Sequence, residues 1–375
     1  MTNPFSKHFP LDPDLIHLNH AAVAPWPNRT AEAIKDFADE NIHTGSKHYS
    51  TWLKTETELR TRMARFIGAT SPGDIALQKN TSEAISAVAC GLEWRSGDNV
   101  VTSSQEFPSN RIPWESLTKK GVELRQANLT GTEPPENAIL NLIDERTRVL
   151  TISSVQYDNG LRINLKMLGD YCSKNNILFC IDAIQSIGAL AFNVEEIKAD
   201  FVMADGHKWM CGPEGIALFY SKPQAREQLS LNQFGWRMVE PPYDFDSLEW
   251  NIASDAKRFE CGSPNFLGVV ALNASLSLLE EIGIQSIEQR VLANTCFLID
   301  NLPKENFKVL SPQQPNRQSG ILTIRHNSIP SQQLYNHLVA NGVLCALRGG
   351  GVRLSPHFYT SQERLESCLN LLDQI

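Results

Sequence analysis

Between residues 74 and 220 short apolar runs alternate with helical patterns, and this restricts the fold more than any other feature of the 375-residue chain. The runs occupy 74–78, 99–103, 122–126, 148–153, 177–181, 201–204 and 216–220. Helical patterns lie between them at 81–92, 109–120, 138–143 and 165–174. Alternation of this kind predicts an α/β fold, with a mostly parallel sheet covered by helices on both faces.

The pattern changes on either side. Residues 16–27 are short and extended, ended by Pro25 and Pro27. Helices are expected at 29–41 and at 55–67, where Leu59, Met63 and Phe66 fall at helical spacing. Residues 221–262 are polar, irregular and rich in Trp and Pro. Long helices at 265–282 and 287–302 follow, then a strand at 320–325, a helix at 332–341, a strand at 352–355 and a closing helix at 361–372. We expect an N-terminal segment, 1–27, docked on a small α+β domain of residues 261–375, and a large domain of residues 28–260.

The formal net charge of -8 argues against a nucleic-acid or membrane-surface role. No apolar run reaches transmembrane length, and residues 1–10 lack the apolar core of a signal peptide, so a cytoplasmic protein is expected. No two of the eight cysteines stand at CxxC spacing, which points away from a zinc site or a thioredoxin-like motif. Cys180 sits in an apolar run and Cys90 on a helical pattern, and most of the eight read as reduced, buried, small hydrophobes.

In an open parallel sheet ligands bind beyond the carboxyl ends of the strands. The residues at those ends are 79–83, 105–108, 155–160, 182–185 and 205–208. Lys208 stands in a polar turn between two apolar strands, where desolvation lowers an ammonium pKa and exposes a nucleophilic amine. Taken alone, the stretch favours a surface lysine; its neighbours shift the balance. Asn80-Thr-Ser-Glu83 reads as a helix cap, or as an anion site built on helix amides with the Thr81 and Ser82 hydroxyls. Asp182 ends a strand and needs a cationic or hydrogen-bonding partner, such as a protonated pyridine or a following helix. Phe107 either packs in the core or lies flat on an aromatic ring. A phosphate cradle, a stacking ring, an acid and an amine together suit pyridoxal 5'-phosphate. A nucleotide-dependent dehydrogenase would need a GxGxxG turn, which is absent.

Asp182-Ala-Ile-Gln185, followed by Gly206-His-Lys-Trp-Met-Cys-Gly-Pro-Glu-Gly215, resembles the class V aminotransferase family. That family includes cysteine desulfurases, C–S lyases, kynureninases and isopenicillin N epimerase-like proteins, and the resemblance covers nearly the whole chain. It implies fold type I, with a large domain bearing the sheet and a smaller C-terminal domain. It further implies that Lys208 carries the cofactor as an aldimine and moves the α-proton, that Asp182 holds the pyridine nitrogen protonated, and that Gln185 meets the ring hydroxyl. Thr81, Ser82 and His207 would bind the phosphate, and Phe107 would stack on the ring where the desulfurases usually have histidine. Tyr157 would replace a ring-contacting asparagine. Arg353 would clamp a substrate carboxylate, and Asn19 would lie in a substrate-side loop. Ser263 would reach a partner's phosphate, implying a homodimer with its active sites at the interface.

Two departures stand out. Asp205 occupies a place usually held by a phosphate-binding Ser or Thr, and is not assigned to the phosphate. The region 342–353 has glycines where the desulfurases carry a loop cysteine, and Cys345 lies in an apolar run before them. The expected activity is therefore on a small amino acid, as an aminotransferase or a cysteine/cystine C–S lyase. A cysteine desulfurase is disfavoured, while an amino-acid epimerase and a cofactor-free binding relative both stay open.

Overall fold

A computed structural model describes residues 4–242 and 244–375. The apolar runs pair into one seven-stranded sheet in the order Ile75–Gln78, Ala217–Ser221, Phe201–Asp205, Leu178–Asp182, Thr147–Ser153, Asn99–Ser103 and Glu123–Ala127. Ala217–Ser221 runs antiparallel to both neighbours, and the remaining pairs are parallel. Only this strand follows its neighbour without a crossover helix: residues 206–216 turn the chain back beside Phe201–Asp205, which forces the antiparallel pairing.

Alternate residues of each strand enter opposite apolar layers, as the two-residue pleat requires. Ile181, Val202 and Leu218 face a layer shared with Leu59, Met63 and Leu272 from the helices Tyr49–Ile67 and Phe266–Ile282. Cys180, Met203 and Phe219 face the other, packed by Ile85 and Val88 of the helix Thr81–Gly91.

The helix expected at 109–120 is broken. Pro108–Asn110 and Ser116–Lys120 are 3₁₀ turns, and only Ile112–Glu115 is α-helical. Pro113 lacks an amide donor and is accommodated in the first turn of a new helix, not in the middle of an old one. The irregular stretch 221–262 contains a short antiparallel pair, Val239–Glu240 with Asn251–Ile252, that sequence patterning does not reveal.

A second sheet is antiparallel, in the order Phe307–Val309, Leu322–His326, Gly351–Leu354 and Ala346–Arg348. Ile16–His17 pairs in parallel with Val343–Leu344, and Asn19 bridges Ser355. Ile16 and Leu18 thereby join an apolar cluster with Leu322, Leu338 and Leu354. Of the N-terminal segment expected at 1–27, residues 1–3 lie outside the described part. Among the described residues no single helix is long and apolar enough to cross a membrane.

Candidate active site

The carboxyl edge of the large sheet opens into a cavity of about 240 Å³. Its lining includes Thr81, Ser82, Phe107, Tyr157, Asp182, Gln185, His207, Lys208 and Arg353. Asn19 and Ser263 are not among its lining residues; Ser263 is exposed.

Lys208 lies in the connection 206–216. The connection is closed by backbone bonds: Gly212 N to Gly206 O at 2.8 Å, Gly206 N to Ile216 O at 2.9 Å and Cys211 N to Lys208 O at 3.0 Å. The N-terminal segment holds it from outside, with Ala24 N donating to His207 O at 2.8 Å and Trp26 Nε1 to Gly212 O at 3.1 Å. Burial lowers the Lys208 pKa, Asp182 opposes that shift, and Arg353 adds to it. The Lys208 Nζ lies 5.6 Å from the centroid of the Phe107 ring. Phe107 meets Tyr157 edge-on at 5.2 Å and is 40% exposed, so its ring is not enclosed by core packing.

Asp182 is the last residue of its strand and is buried. Its Oδ1 accepts from Ile184 N at 3.0 Å, capping a turn and not a helix. Burial raises its pKa, and the buried Glu106 carboxylate raises it further. Glu106 accepts from Ser153 N at 2.9 Å, Gln156 Nε2 at 2.9 Å and Asn110 Nδ2 at 3.0 Å. Sequence patterning puts Glu106 at this edge without giving it a role. The signal is a carboxylate between a strand end and Phe107-Pro108, in a place where it has to be buried.

At the other side, Asn80 caps the helix Thr81–Gly91 through Glu83 N at 2.9 Å. Glu83 answers to Lys79 N at 2.7 Å, one residue before the cap. The Thr81 hydroxyl is buried without a partner among the described residues, and Ser82 Oγ donates to Ser109 Oγ at 2.8 Å. Ser109 also lines the cavity, and nothing in its sequence context marks it. Asp205 lies within the cavity with its Oδ1 3.1 Å from His207 Nδ1, an ion-pair distance without good hydrogen-bond angles.

Arg353 is buried on the strand Gly351–Leu354. Its Nη1 donates to Tyr157 O at 2.7 Å, and its Nε has no partner among the described residues. Arg348 enters the same cavity from the neighbouring strand. The chain turns between them through Gly349 and Gly350, at φ +59° and +75°, the paired positive values of a two-residue hairpin turn.

These residues fit pyridoxal phosphate. An orphaned hydroxyl and free amides at a helix N-terminus suit an anion, and a buried acid makes no salt bridge among the described residues. A desolvated amine faces both the acid and an uncovered aromatic ring.

The family model for class V aminotransferases matches residues 16–366. The chain is 30% identical to a probable cysteine desulfurase of Methanothermobacter thermautotrophicus, over all of this chain and 98% of that one. It is 27% identical to the uncharacterized aminotransferase YcbU of Bacillus subtilis, over 91% and 89%. Among solved structures, the cystine C–S lyase C-DES in complex with cysteine persulfide has a TM-score of 0.90 at 20% identity, covering 97% of this chain and 99% of that one. The apo cysteine desulfurase of Thermococcus onnurineus NA1 has a TM-score of 0.88 at 24% identity, covering 100% and 98%. At these identities the structural likeness speaks for the fold, that of fold type I. With the sequence matched almost end to end and the fold shared, the chain belongs to the class V aminotransferase family of pyridoxal phosphate-dependent enzymes.

Proposed function

We propose that this enzyme acts on a small α-amino acid, by transamination or by cysteine/cystine C–S lysis, without a persulfide carried on the protein. The observation that carries this reading is the two-glycine hairpin between Arg348 and Arg353. It leaves no loop for a thiol, and among the described residues no cysteine lines the cavity. Cys345 is buried in an apolar cluster, where burial pushes its thiol up to about 12.

Pyridoxal phosphate, when bound, supplies the aldehyde for the amine and the electron sink for the α-carbon. Thr81, Ser82, the helix amides and His207 hold the phosphate. Phe107 covers the ring, Asp182 keeps a proton on the ring nitrogen, and Gln185 meets the ring oxygen. Arg353 binds the substrate carboxylate through its unpartnered Nε side. Lys208, neutral more readily because it is desolvated, takes the α-proton and returns it. In this reading Ser263 serves the phosphate of a second copy, Asn19 lines the substrate approach of the assembled dimer, and the enzyme works in the cytoplasm.

The test is the visible spectrum of the cofactor-loaded protein with a panel of amino acids that includes cysteine and cystine. Conversion of the cofactor to its amine form, reversed by an oxo acid, identifies an aminotransferase; pyruvate with a sulfur product identifies a lyase. If Lys208→Ala retains turnover and a borohydride-trapped adduct, the lysine assignment fails.

A further inference from the structure

The side-chain amide of Gln185 is gripped from two sides by groups of opposite sense. Its Oε1 accepts from the indole Nε1 of Trp209 at 2.8 Å, and its Nε2 donates to the Ala21 carbonyl at 3.0 Å. An indole N–H only donates and a backbone carbonyl only accepts. Turning the amide over would set N–H against N–H and oxygen against oxygen, and both bonds would be lost at a residue only 2% exposed. The amide oxygen is thus occupied, and one of the two N–H groups remains. Gln185 lines the cavity and Trp209 does not, so that N–H is what the amide can offer to a ligand there.

The indole has no freedom to release its hold. Trp209 is fully buried, and its carbonyl lies 3.0 Å from His357 Nε2. Two glycines make room for it. A Cβ on Gly320 would stand 2.4 Å from the indole Cη2, and one on Gly188, at φ +97°, would stand 2.4 Å from the Trp209 carbonyl oxygen.

We propose that Trp209 is a positioning residue: it fixes the Gln185 amide with an N–H toward the ring oxygen of bound cofactor, and so sets the proton affinity of the lysine-bound cofactor. This rests on the reading of Gln185 as the partner of that oxygen. A hydrogen bond donated to the ring oxygen competes with the proton on the neighbouring lysine-derived nitrogen, and so favours the form that has lost it. Without the indole N–H only the Ala21 carbonyl still opposes reversal, so the amide presents its oxygen part of the time, which weakens that competition.

The experiment is a pH titration of the visible band of the loaded holoenzyme for the wild type, Trp209→Phe, Gln185→Leu and the double variant, with thermal unfolding measured alongside. Gln185→Leu is expected to raise the midpoint by about tenfold in proton affinity for one lost hydrogen bond, and Trp209→Phe to raise it by less, because the Ala21 carbonyl still holds the amide. The double variant is expected to move no further than Gln185→Leu, which a merely structural tryptophan would not arrange. An unmoved midpoint in Gln185→Leu refutes the ring-oxygen reading and the proposal with it. A shift in Gln185→Leu but not in Trp209→Phe overturns the role of Trp209 alone, as does a Trp209→Phe shift that persists in the Gln185→Leu background. Trp209→Tyr, which also lacks the indole donor, takes the place of Trp209→Phe if the latter does not fold.

Discussion

Cys345→Ala separates a lyase or aminotransferase from a persulfide-forming desulfurase, and the structure gives the size of the effect. Only the thiolate attacks sulfur. With burial pushing the Cys345 thiol up to about 12, roughly one molecule in 10⁴ carries the thiolate at pH 8, against about a quarter for an ordinary thiol near 8.5. The deficit is more than about 10³-fold, before counting that this sulfur is not among the cavity-lining groups. Cys345 is 3% exposed within the cluster of Ile16, Leu18 and Leu354. Removing its sulfur should cost about 1 kcal/mol in lost burial and a small void. Turnover of cysteine and cystine is therefore expected to stay within about twofold of wild type, while Tm falls by about 1–3 °C. Turnover is followed by pyruvate and sulfide release, and protein-bound sulfur by alkylation and mass spectrometry of the Cys345 peptide. Lost turnover, together with a persulfide on wild-type Cys345, would refute the argument from burial.

Two further outcomes follow from the geometry. Arg353→Lys keeps the charge and loses the planar fork, so kcat/KM should fall about 10–100-fold, mainly through KM; an unchanged KM removes Arg353 from the carboxylate site. Burial holds the His17 imidazole down to about 4, against an ordinary 6.5. Between those values the unfolded chain binds the proton that the folded one refuses. Stability is therefore lost as pH falls from 6.5 to 4, by up to about 3 kcal/mol from this group. His17→Asn, compared with wild type by denaturant unfolding across that window, should show a shallower fall; an identical slope refutes the assignment.

The alternation of residues 74–220 was enough to read the α/β class and the edge at which polar residues gather, because strand burial and helix amphipathicity are written in local periodicity. Asp182, Gln185 and Lys208 could be singled out because a motif keeps them at short, recognisable distances in sequence. Ser109 and Arg348 could not, and Glu106 and Trp209, although they lie in segments the sequence marks, could not be given a role. Each matters only through a neighbour brought near by the sheet. Pro113 and the pair Val239–Glu240 with Asn251–Ile252 show the other limit, where local signals for a helix or a loop yield to turn geometry and to a partner distant in sequence.

Residue type and spacing were sufficient for the alternation of the large sheet, the chemistry available at its strand ends and the family. Which groups are desolvated, and which way they face, was settled by the folded chain. The Lys208 ammonium is disfavoured by burial beneath chain segments from both ends of the protein. The Cys345 thiol is silenced by a cluster that includes Ile16 and Leu18. The Gln185 amide is oriented by Trp209 on one side and by Ala21, more than 160 residues earlier in the chain, on the other. Burial and hydrogen-bond sense depend on all the atoms that surround a group, and folding assembles that surrounding from remote parts of the chain.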